Sequence, residues 1–234
     1  MFCSDHYGNL VTRTVKLDRM AAKRRKRAHG EESRQRILDA AAEIAGERGY
    51  EGTSIALVSE RSGLPASSIY WHFEDKDQLI AAVIERTFNR WLEGMRVWVP
   101  PKPGTSREEQ FSAALRRTAK ALTAAPHFLR LGLMLSLERR PEEATARKMF
   151  LQVREQAYKG IVTAYEAFFA GELDARSVRS LATLAMAAAD GLFIAHEVDE
   201  AVDLEESFEL VAAAILGAAA HLRPRSGRSR KGKV

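Results

Sequence analysis

Residues 63–73, with the sequence GLPASSIYWHF, restrict the fold of this chain more than any other stretch. Gly63 accepts a positive φ at no steric cost, so it can supply a sharp bend between two helices. Pro65 has a φ that is already close to the helical value, which suits the first turn of a helix. Three small residues then leave room for a neighbouring surface: Ala66, Ser67 and Ser68. This order predicts a bend followed by a short helix.

The short helix has two different sides. Ile69 and Phe73 are four residues apart, so they lie on one side and can anchor the helix on a core. Three residues with polar edges are left for the outer side: Tyr70, Trp71 and His72. The major groove of DNA accepts a helix whose outer side is small and able to form hydrogen bonds. We therefore predict that this helix contacts DNA bases.

The preceding residues complete a helix-turn-helix unit. Thr53 or Ser54 can N-cap a helix that runs to Ser62, and the Gly63 bend then joins this helix to the next one. Helix starts present free N–H groups and a partial positive charge, which favour phosphate. We therefore expect Thr53 or Ser54 to hold a phosphate of the DNA backbone, as well as Lys76 at the next helix start.

Two further helices flank this unit. Asp75 can cap the helix that follows, with Gln78 placed to return the hydrogen bond as in a capping box. Upstream, apolar residues at helical spacing predict a helix over residues 33–48 that Gly49 ends. These apolar residues are Ile37, Leu38, Ala41, Ile44 and Ala45.

Residues 33–79 resemble the DNA-binding domain of TetR/AcrR-family regulators. The matching residues are Gly49-Tyr50, Thr53-Ser54, Gly63-Leu64, the run 69–73, and Lys76 with Leu79. Pro65 departs from the family, which often has a serine cap at this position. The resemblance implies a regulator that binds operator DNA and responds to a small molecule. The expected DNA-contacting residues are Thr53, Ser54, Ala66, Ser67, Ser68, Tyr70, Trp71, His72 and Lys76.

The periodicity of the whole chain predicts an all-α fold with about nine helices. A three-helix head with the helix-turn-helix is expected over residues 31–79, and a helical ligand-binding and dimerisation domain over residues 80–221. Proline and glycine at residues 100–104 predict a break between helices. Helix starts are predicted at Ser106, which forms a second capping-box pattern with Glu109, and at Pro126, residues 141–143, Asp174 and Asp203.

The last two predicted helices are rich in alanine and apolar over more than one face. A helix of this kind must be buried on more than one side, and alanine lets helix axes approach closely. We expect the pair to form a homodimer interface, which in the TetR/AcrR resemblance is a four-helix bundle. A dimer implies a roughly palindromic operator on double-stranded DNA. The alternative is a buried pair within one chain.

The positive charge of the chain lies in its two ends. The net charge is +5, but residues 1–30 and residues 222–234 carry +6 each, which leaves −7 for residues 31–221. Both ends lack an apolar period and are predicted to be disordered. The basic run at residues 23–27 directly precedes the head, so we expect an arm that contacts phosphates or the minor groove. The alternative is a solvated tail.

The sequence predicts a soluble cytoplasmic protein that does not enter a membrane. The single cysteine, Cys3, excludes an intrachain disulfide and suits a reducing compartment. No secretory signal pattern is apparent at the start, and the longest apolar run, residues 210–220, is too short to span a bilayer.

No catalytic constellation, metal-ligand spacing or phosphate-binding loop is recognisable, so we predict a protein that is not an enzyme and has no cofactor. The candidates for contact with a small, largely apolar ligand are Phe128, Met134, Tyr158, Tyr165, Asp190 and Phe193. Asp190 stands in an apolar run, so it is either paired or faces a polar cavity. For His196 we expect a packing role.

Two classes of function follow. The favoured one is a homodimeric repressor that a small ligand releases from its operator. The other is a helical protein-interaction module or an enzyme in which the helix-turn-helix is only structural. The interaction module requires that residues 63–73 be buried.

Overall fold

The computed structural model of the protein describes residues 5–95, 104–124, 126–137 and 144–224. The all-α prediction is confirmed, because all the regular secondary structure in these ranges is helical. The helices in chain order are α1 (Asp5–Arg48), α2 (Ile55–Ser62), α3 (Ala66–His72), α4 (Lys76–Met95), α5 (Arg107–Ala124), α6 (His127–Leu137), α7 (Thr145–Phe168), α8 (Ala175–Val198) and α9 (Leu204–Leu222). Their number within the described residues agrees with the prediction of about nine.

The chain divides into two compact units, residues 1–80 and residues 81–234, and the boundary falls inside α4. In the first unit, α1 packs against α2 and α3. The apolar stripe predicted for α1 is buried throughout, together with Val58, Ile69 and Leu79 from the following helices. These residues form the core that supports the helix-turn-helix.

Helix α1 differs from its prediction at its start. It begins at Asp5, whereas disorder is predicted for residues 1–30, so the structure corrects that prediction. The prediction rested on the missing apolar period, which indicates the absence of a buried face and does not exclude a helix. No proline occurs before Pro65, and residues 19–28 are mostly strong helix formers. Residues 225–234, most of the second predicted disordered end, lie outside the described residues.

The local stop and start signals are mostly confirmed. Gly49 and Gly63 have φ of 69° and 65°, in the left-handed region that ends a helix. Ser106 and Glu109 exchange the two hydrogen bonds of a capping box. The box predicted at Asp75 is altered, because the side chain of Gln78 accepts from the N–H of Glu74 at 3.2 Å instead of that of Asp75. The predicted caps of α8 and α9 accept backbone N–H bonds as expected, namely Asp174 and Asp203.

The core of the second unit joins four helices. α5 packs on α9, and α8 packs on α7 and α9. The shared cluster consists of Phe111, Tyr165, Phe169, Val178, Leu181, Ala182, Ala212, Ile215 and Ala219. α7 begins at Thr145, after the residues 141–143 predicted to start it, and these residues lie outside the described ranges, as does most of the predicted break at 100–104.

The approach of α6 to α7 is unusually close at one point. A Cβ atom added to Gly132 would lie 1.9 Å from Cδ2 of Phe150, which is closer than any real contact. Phe150 is itself buried, so the absence of a side chain at Gly132 is what allows this packing.

Helix α8 combines two environments. Within the described residues it is the one helix with the length and apolar composition of a membrane span, but such a composition also suits a core helix of a bundle. One side of α8 packs on α7 and α9. Its outer side is apolar and exposed, as is that of α9. The exposed large apolar residues and glycines on these two helices are Leu184, Gly191, Ile194, Val198, Leu210 and Gly217.

Candidate nucleic-acid interface

Helix α3 has the two sides that the sequence predicts. Ile69 has no exposed surface and Phe73 is buried, so both anchor α3 on the core of the first unit. On the outer side, the side chains of Tyr70 and Trp71 are 57% and 72% exposed. Large aromatic residues rarely stay this exposed without a function, because burying an aromatic side chain is favourable. This side of α3 is therefore a surface available for contact.

The turn before α3 is held by side chains. Arg36 of α1 donates to the carbonyl oxygen of Ser62 at 2.7 Å, and Ser59 Oγ donates to that of Leu64 at 2.7 Å. Gly63 between them has the positive φ that a residue with a side chain rarely adopts. These contacts fix the angle between α2 and α3. Arg36 was not among the predicted functional residues, because a charged residue on α1 gives no periodic signal.

The entry into α3 lacks a side-chain cap. Pro65 occupies the N-cap position with an extended backbone, and its carbonyl accepts from the N–H of Ser68 at 2.8 Å. The departure from a serine cap therefore leaves the start of the helix intact. Among the small residues of the first turn, Ser67 is exposed, whereas Ala66 and Ser68 are half-buried. Ser67 is thus the most accessible polar group there.

The two candidate caps of α2 have different roles. Ser54 Oγ accepts from the N–H of Leu57 at 3.2 Å, so the N-cap is Ser54, and its side chain is exposed. Thr53 is buried, and its hydroxyl donates to the carbonyl of Gly49 at 2.8 Å. A buried hydroxyl that already donates within the head is not available to a phosphate. Of the two hydroxyls, that of Ser54 is accessible to a phosphate and that of Thr53 is not.

Lys76 stands at the start of α4 and is held by the loop before α2. Its ammonium nitrogen lies 3.3 Å from the carbonyl oxygen of Tyr50 and 4.2 Å from the centre of the Tyr50 ring. Glu51 provides a carboxylate at 3.7 Å, but this carboxylate is largely exposed. A phosphate that reached Lys76 would have to compete with Glu51 for the ammonium group.

His72 and Trp71 are packed edge to face, with ring centres 4.5 Å apart. Burial and the positive charge of Arg34 lower the pKa of His72, and Glu31 opposes this shift only in part. His72 is therefore neutral at pH 7, so that it can both donate and accept a hydrogen bond. His72 therefore adds no positive charge to the outer side of α3.

Helix α1 contributes to the outer surface of α3, a contribution that the sequence analysis did not predict. The guanidinium of Arg34 lies 5.5 Å from the centre of the Phe73 ring. Gly30 lies against Trp71, since a Cβ added at Gly30 would be 3.7 Å from two carbons of the indole ring. The exposed side of α3 therefore continues onto α1.

The six candidate ligand residues of the second unit are not alike. Tyr165 is buried in the core cluster and the half-buried Tyr158 packs against that cluster, with its hydroxyl donating to the carbonyl of Arg179 at 3.3 Å. Phe193 is buried, whereas Met134 is exposed. The side chain of Phe128 lies outside the described part of the chain.

Asp190 is paired within the chain. Its carboxylate accepts two hydrogen bonds from Arg154 of α7, at 2.9 Å from Nη1 and a second from Nη2, and both side chains are only partly exposed. Of the two alternatives for Asp190, a pair or a polar cavity, the structure shows a pair between α7 and α8. His196, for which we expect a packing role, is partly buried, and its Nδ1 donates to the carbonyl of Val202 at 2.9 Å.

A groove of about 1290 Å³ runs between α5 and α7. Tyr165 is the one ligand candidate among its lining residues. Its apolar wall consists of Phe111, Leu115, Tyr165 and Phe168, and charged residues of α5 also line it.

Burial raises the pKa of the Tyr165 hydroxyl. The described residues contain no group of three or more side chains that could hold a metal ion.

Comparison with known proteins locates a family match in the first unit. The family model described as bacterial regulatory proteins of the tetR family matches residues 37–83. The HTH-type transcriptional regulator AcrR of Shigella flexneri is 34% identical over 62 residues, which are 26% of this chain and 29% of AcrR. The chain thus spans less than a third of the length of this curated relative.

Solved structures match over most of the chain. A transcriptional regulator from Rhodococcus sp. Rha1 superimposes with a TM-score of 0.62 at 20% identity and covers 79% of this chain and 96% of its own. The transcriptional regulator FadR from Bacillus subtilis, solved in complex with stearoyl-CoA, superimposes with a TM-score of 0.60 at 16% identity. This match covers 79% of the present chain and 98% of FadR. At these identities the likeness establishes the fold of both units.

Proposed function

We propose that the chain is a member of the TetR family of bacterial regulatory proteins, whose family model matches residues 37–83, and that it is a homodimeric, sequence-specific DNA-binding repressor in the cytoplasm. A small, largely apolar ligand releases it from a roughly palindromic operator on double-stranded DNA. The relatives are transcriptional regulators and not enzymes, which fits the absence of any recognisable catalytic constellation.

The observation that carries the proposal is the exposed side of α3. Tyr70 and Trp71 face outward while Ile69 holds the helix on the core, so the helix can enter a major groove without unfolding the head. The alternative of a purely structural helix-turn-helix requires that this side be buried, which it is not. We assign contacts with bases to Ser67, Tyr70, Trp71 and His72, with support from the half-buried Ala66 and Ser68.

The backbone contacts are assigned to helix starts. Ser54 and Lys76 stand at the starts of α2 and α4, where free N–H groups favour a phosphate. These contacts fix the position of the head on the duplex, whereas the contacts of α3 select the sequence.

The homodimer is proposed to form through the outer faces of α8 and α9. The small residues along these faces let helix axes approach closely, and the large apolar ones would leave water on association. Two copies of this pair would make a four-helix interface with two-fold symmetry. The two heads would then read half-sites about 34–36 Å apart or a multiple of it.

The ligand is proposed to bind in the groove between α5 and α7. Its wall of Phe111, Leu115 and Phe168 suits an apolar molecule, and Tyr165 adds a hydroxyl near that wall. FadR of B. subtilis was solved with stearoyl-CoA, a molecule with a long apolar chain, which is consistent with an amphipathic ligand here. Asp190 and Phe193 are not assigned to the ligand, because one is paired and the other lies buried elsewhere.

Selection of duplexes from a random-sequence DNA pool tests the central proposal. The wild-type protein is expected to enrich a rough palindrome, and its binding to the enriched duplex is then followed by fluorescence anisotropy. Tyr70→Ala should weaken this binding by about 1–3 kcal/mol and leave the melting temperature almost unchanged, because Tyr70 is exposed.

The matched control is Leu137→Ala, which removes an exposed apolar side chain from α6 and should leave DNA binding unchanged. A pool without any enriched sequence would contradict the repressor function. Unchanged affinity in a folded Tyr70→Ala protein would contradict the role of α3.

A further inference from the structure

The part of the first unit that carries the helix-turn-helix, residues 31–79, is poor in positive charge for a domain that binds a polyanion. Residues 31–79 contain five lysines and arginines against ten acidic residues. Arg36 is committed to the carbonyl of Ser62, Arg61 lies 3.0 Å from a carboxylate oxygen of Glu43, and Lys76 is shared with Glu51. Affinity for DNA depends largely on phosphate neutralisation, so positive charge must come from outside these residues.

Helix α1 joins the basic run to the helix-turn-helix without a break. It is continuous through residues 29–35, where Ser33 Oγ donates to the carbonyl of His29 at 2.9 Å and the side chain of Gln35 donates to that of Glu31 at 2.7 Å. Upstream, the sequence at residues 23–27 is KRRKR, and the whole run belongs to the same helix. The described side chains in this run, Arg24 and Arg27, are exposed.

The position of Gly30 opposite the indole ring of Trp71 shows where this helix passes the DNA-facing surface. Positions 23, 27, 30 and 34 are separated by four, three and four residues, so they share one stripe of α1. This stripe touches α3 at Gly30 and reaches the ring of Phe73 from Arg34. At about 1.5 Å of rise per residue, Arg27 lies only about 4.5 Å further along the axis from Gly30.

We propose that α1 forms a helical phosphate-binding extension of the α3 surface, with Arg24 and Arg27 as the phosphate contacts, and that the continuous helix keeps these residues in register with α3 where Gly30 faces Trp71. The partner is the DNA backbone beside the bases that α3 reads, so the inference rests on the proposed function. Arg27 lies on the stripe that passes Gly30, and Arg24 lies beside this stripe about one turn further upstream, with about 4.5 Å of rise between the two residues. A continuous helix is too wide for the minor groove of ordinary B-DNA, so the extension binds phosphates and does not act as a flexible minor-groove arm.

The salt dependence of binding tests the charge. The double variant Arg24→Gln, Arg27→Gln is compared with wild type on the enriched duplex and on a shuffled duplex of the same composition. With one or two contacts per chain, the slope of log affinity against log salt should flatten by about two to four per DNA-bound dimer on both duplexes. The matched control, Arg176→Gln with Arg179→Gln, removes two exposed arginines at the same spacing on α8 and should keep the wild-type slope.

A flexible insertion tests the helical register. Gly-Ser-Gly inserted between Ala28 and His29 uncouples the basic run from the rest of α1, because glycine disfavours a helix, while every charge is kept. A helical extension predicts a flattened slope, as in the charge variant. A flexible arm predicts the wild-type slope.

Two results would overturn the inference while leaving the repressor function intact. One is a charge variant with the wild-type slope, and the other is an insertion variant with the wild-type slope, in either case with an enriched palindrome. If no sequence is enriched, the proposed repressor function fails, and the slopes on an arbitrary duplex of mixed sequence still decide whether the extension binds phosphates.

Discussion

The proposed dimer interface can be tested with a single charge on its outer face. Gly217 of α9 is exposed, and a Cβ added there meets no atom within 4 Å in the single chain. Gly217→Arg should therefore fold as well as wild type, or slightly better, since arginine favours a helix more than glycine does. In a dimer through α8 and α9, the same arginine would be buried in an apolar contact.

The magnitude follows from the exposed side chains. Leu184 and Ile194 are each 46% exposed, Leu210 is 69% exposed and Val198 is 83% exposed, which amounts to roughly two and a half large apolar side chains per chain. At about 1.5–3 kcal/mol for each fully buried side chain, a dimer would gain about 7–15 kcal/mol from them. Association costs at least about 4 kcal/mol, so up to about 11 kcal/mol remains, and a dimer at micromolar concentration needs about 8 kcal/mol. Two buried, unpaired guanidinium groups cost several kcal/mol each, which removes at least about 4 kcal/mol of this surplus.

Sedimentation equilibrium at micromolar concentration measures the effect. A loss of about 4 kcal/mol raises the dissociation constant roughly 1000-fold, so Gly217→Arg should be monomeric where wild type is dimeric. Gly160→Arg is the matched control, because Gly160 on α7 is also exposed with no atom within 4 Å of an added Cβ. The reasoning is refuted if Gly217→Arg stays dimeric, or if the control dissociates to the same extent.

Three further outcomes are expected. Ile69→Ala should destabilise the first unit by about 2–5 kcal/mol in urea unfolding, because Ile69 is fully buried, and a cost below 1 kcal/mol would contradict its anchoring role. Ser54→Ala should cost about 1 kcal/mol of stability through the lost N-cap and should also weaken DNA binding, whereas unchanged thermal melting would exclude the cap. Because burial raises the pKa of Tyr165, its contribution to stability is complete below about pH 10 and is lost as the pH rises further, by up to about 1.4 kcal/mol per pH unit. Tyr165→Phe should reduce this alkaline slope, as urea titrations between pH 9 and 12 can measure.

The helix-turn-helix could be predicted because its signals are local. A bend at Gly63, a cap before α2 and an anchoring pair on α3 each depend on residues within one or two turns of each other. The choice between Thr53 and Ser54 was not predictable in this way, because both are good caps. It depends on the burial of Thr53 and its bond to Gly49, which only the packed head reveals.

Contacts between residues that are far apart in the sequence were harder to predict. Apolar residues cover α9 so evenly that Ala212 could belong to an interface as well as to a core, but it is fully buried in the core of its own chain. The outer face is marked instead by Leu210 and Gly217. Asp190 gave no clue to its partner, because Arg154 lies 36 residues away on another helix. The disorder predicted for residues 1–30 failed because helix formation does not require a buried face.

The close approach of α6 and α7 has a consequence for how this sequence can vary. Because a Cβ at position 132 would lie 1.9 Å from Phe150, the residue that is tolerated at either position depends on the residue at the other. Any side chain at 132 must displace the ring, while a smaller residue at 150 leaves a void that a methyl group at 132 could partly fill. Positions 132 and 150 should therefore covary among relatives that share this packing, and exchanging both at once should cost less than the two single exchanges added together.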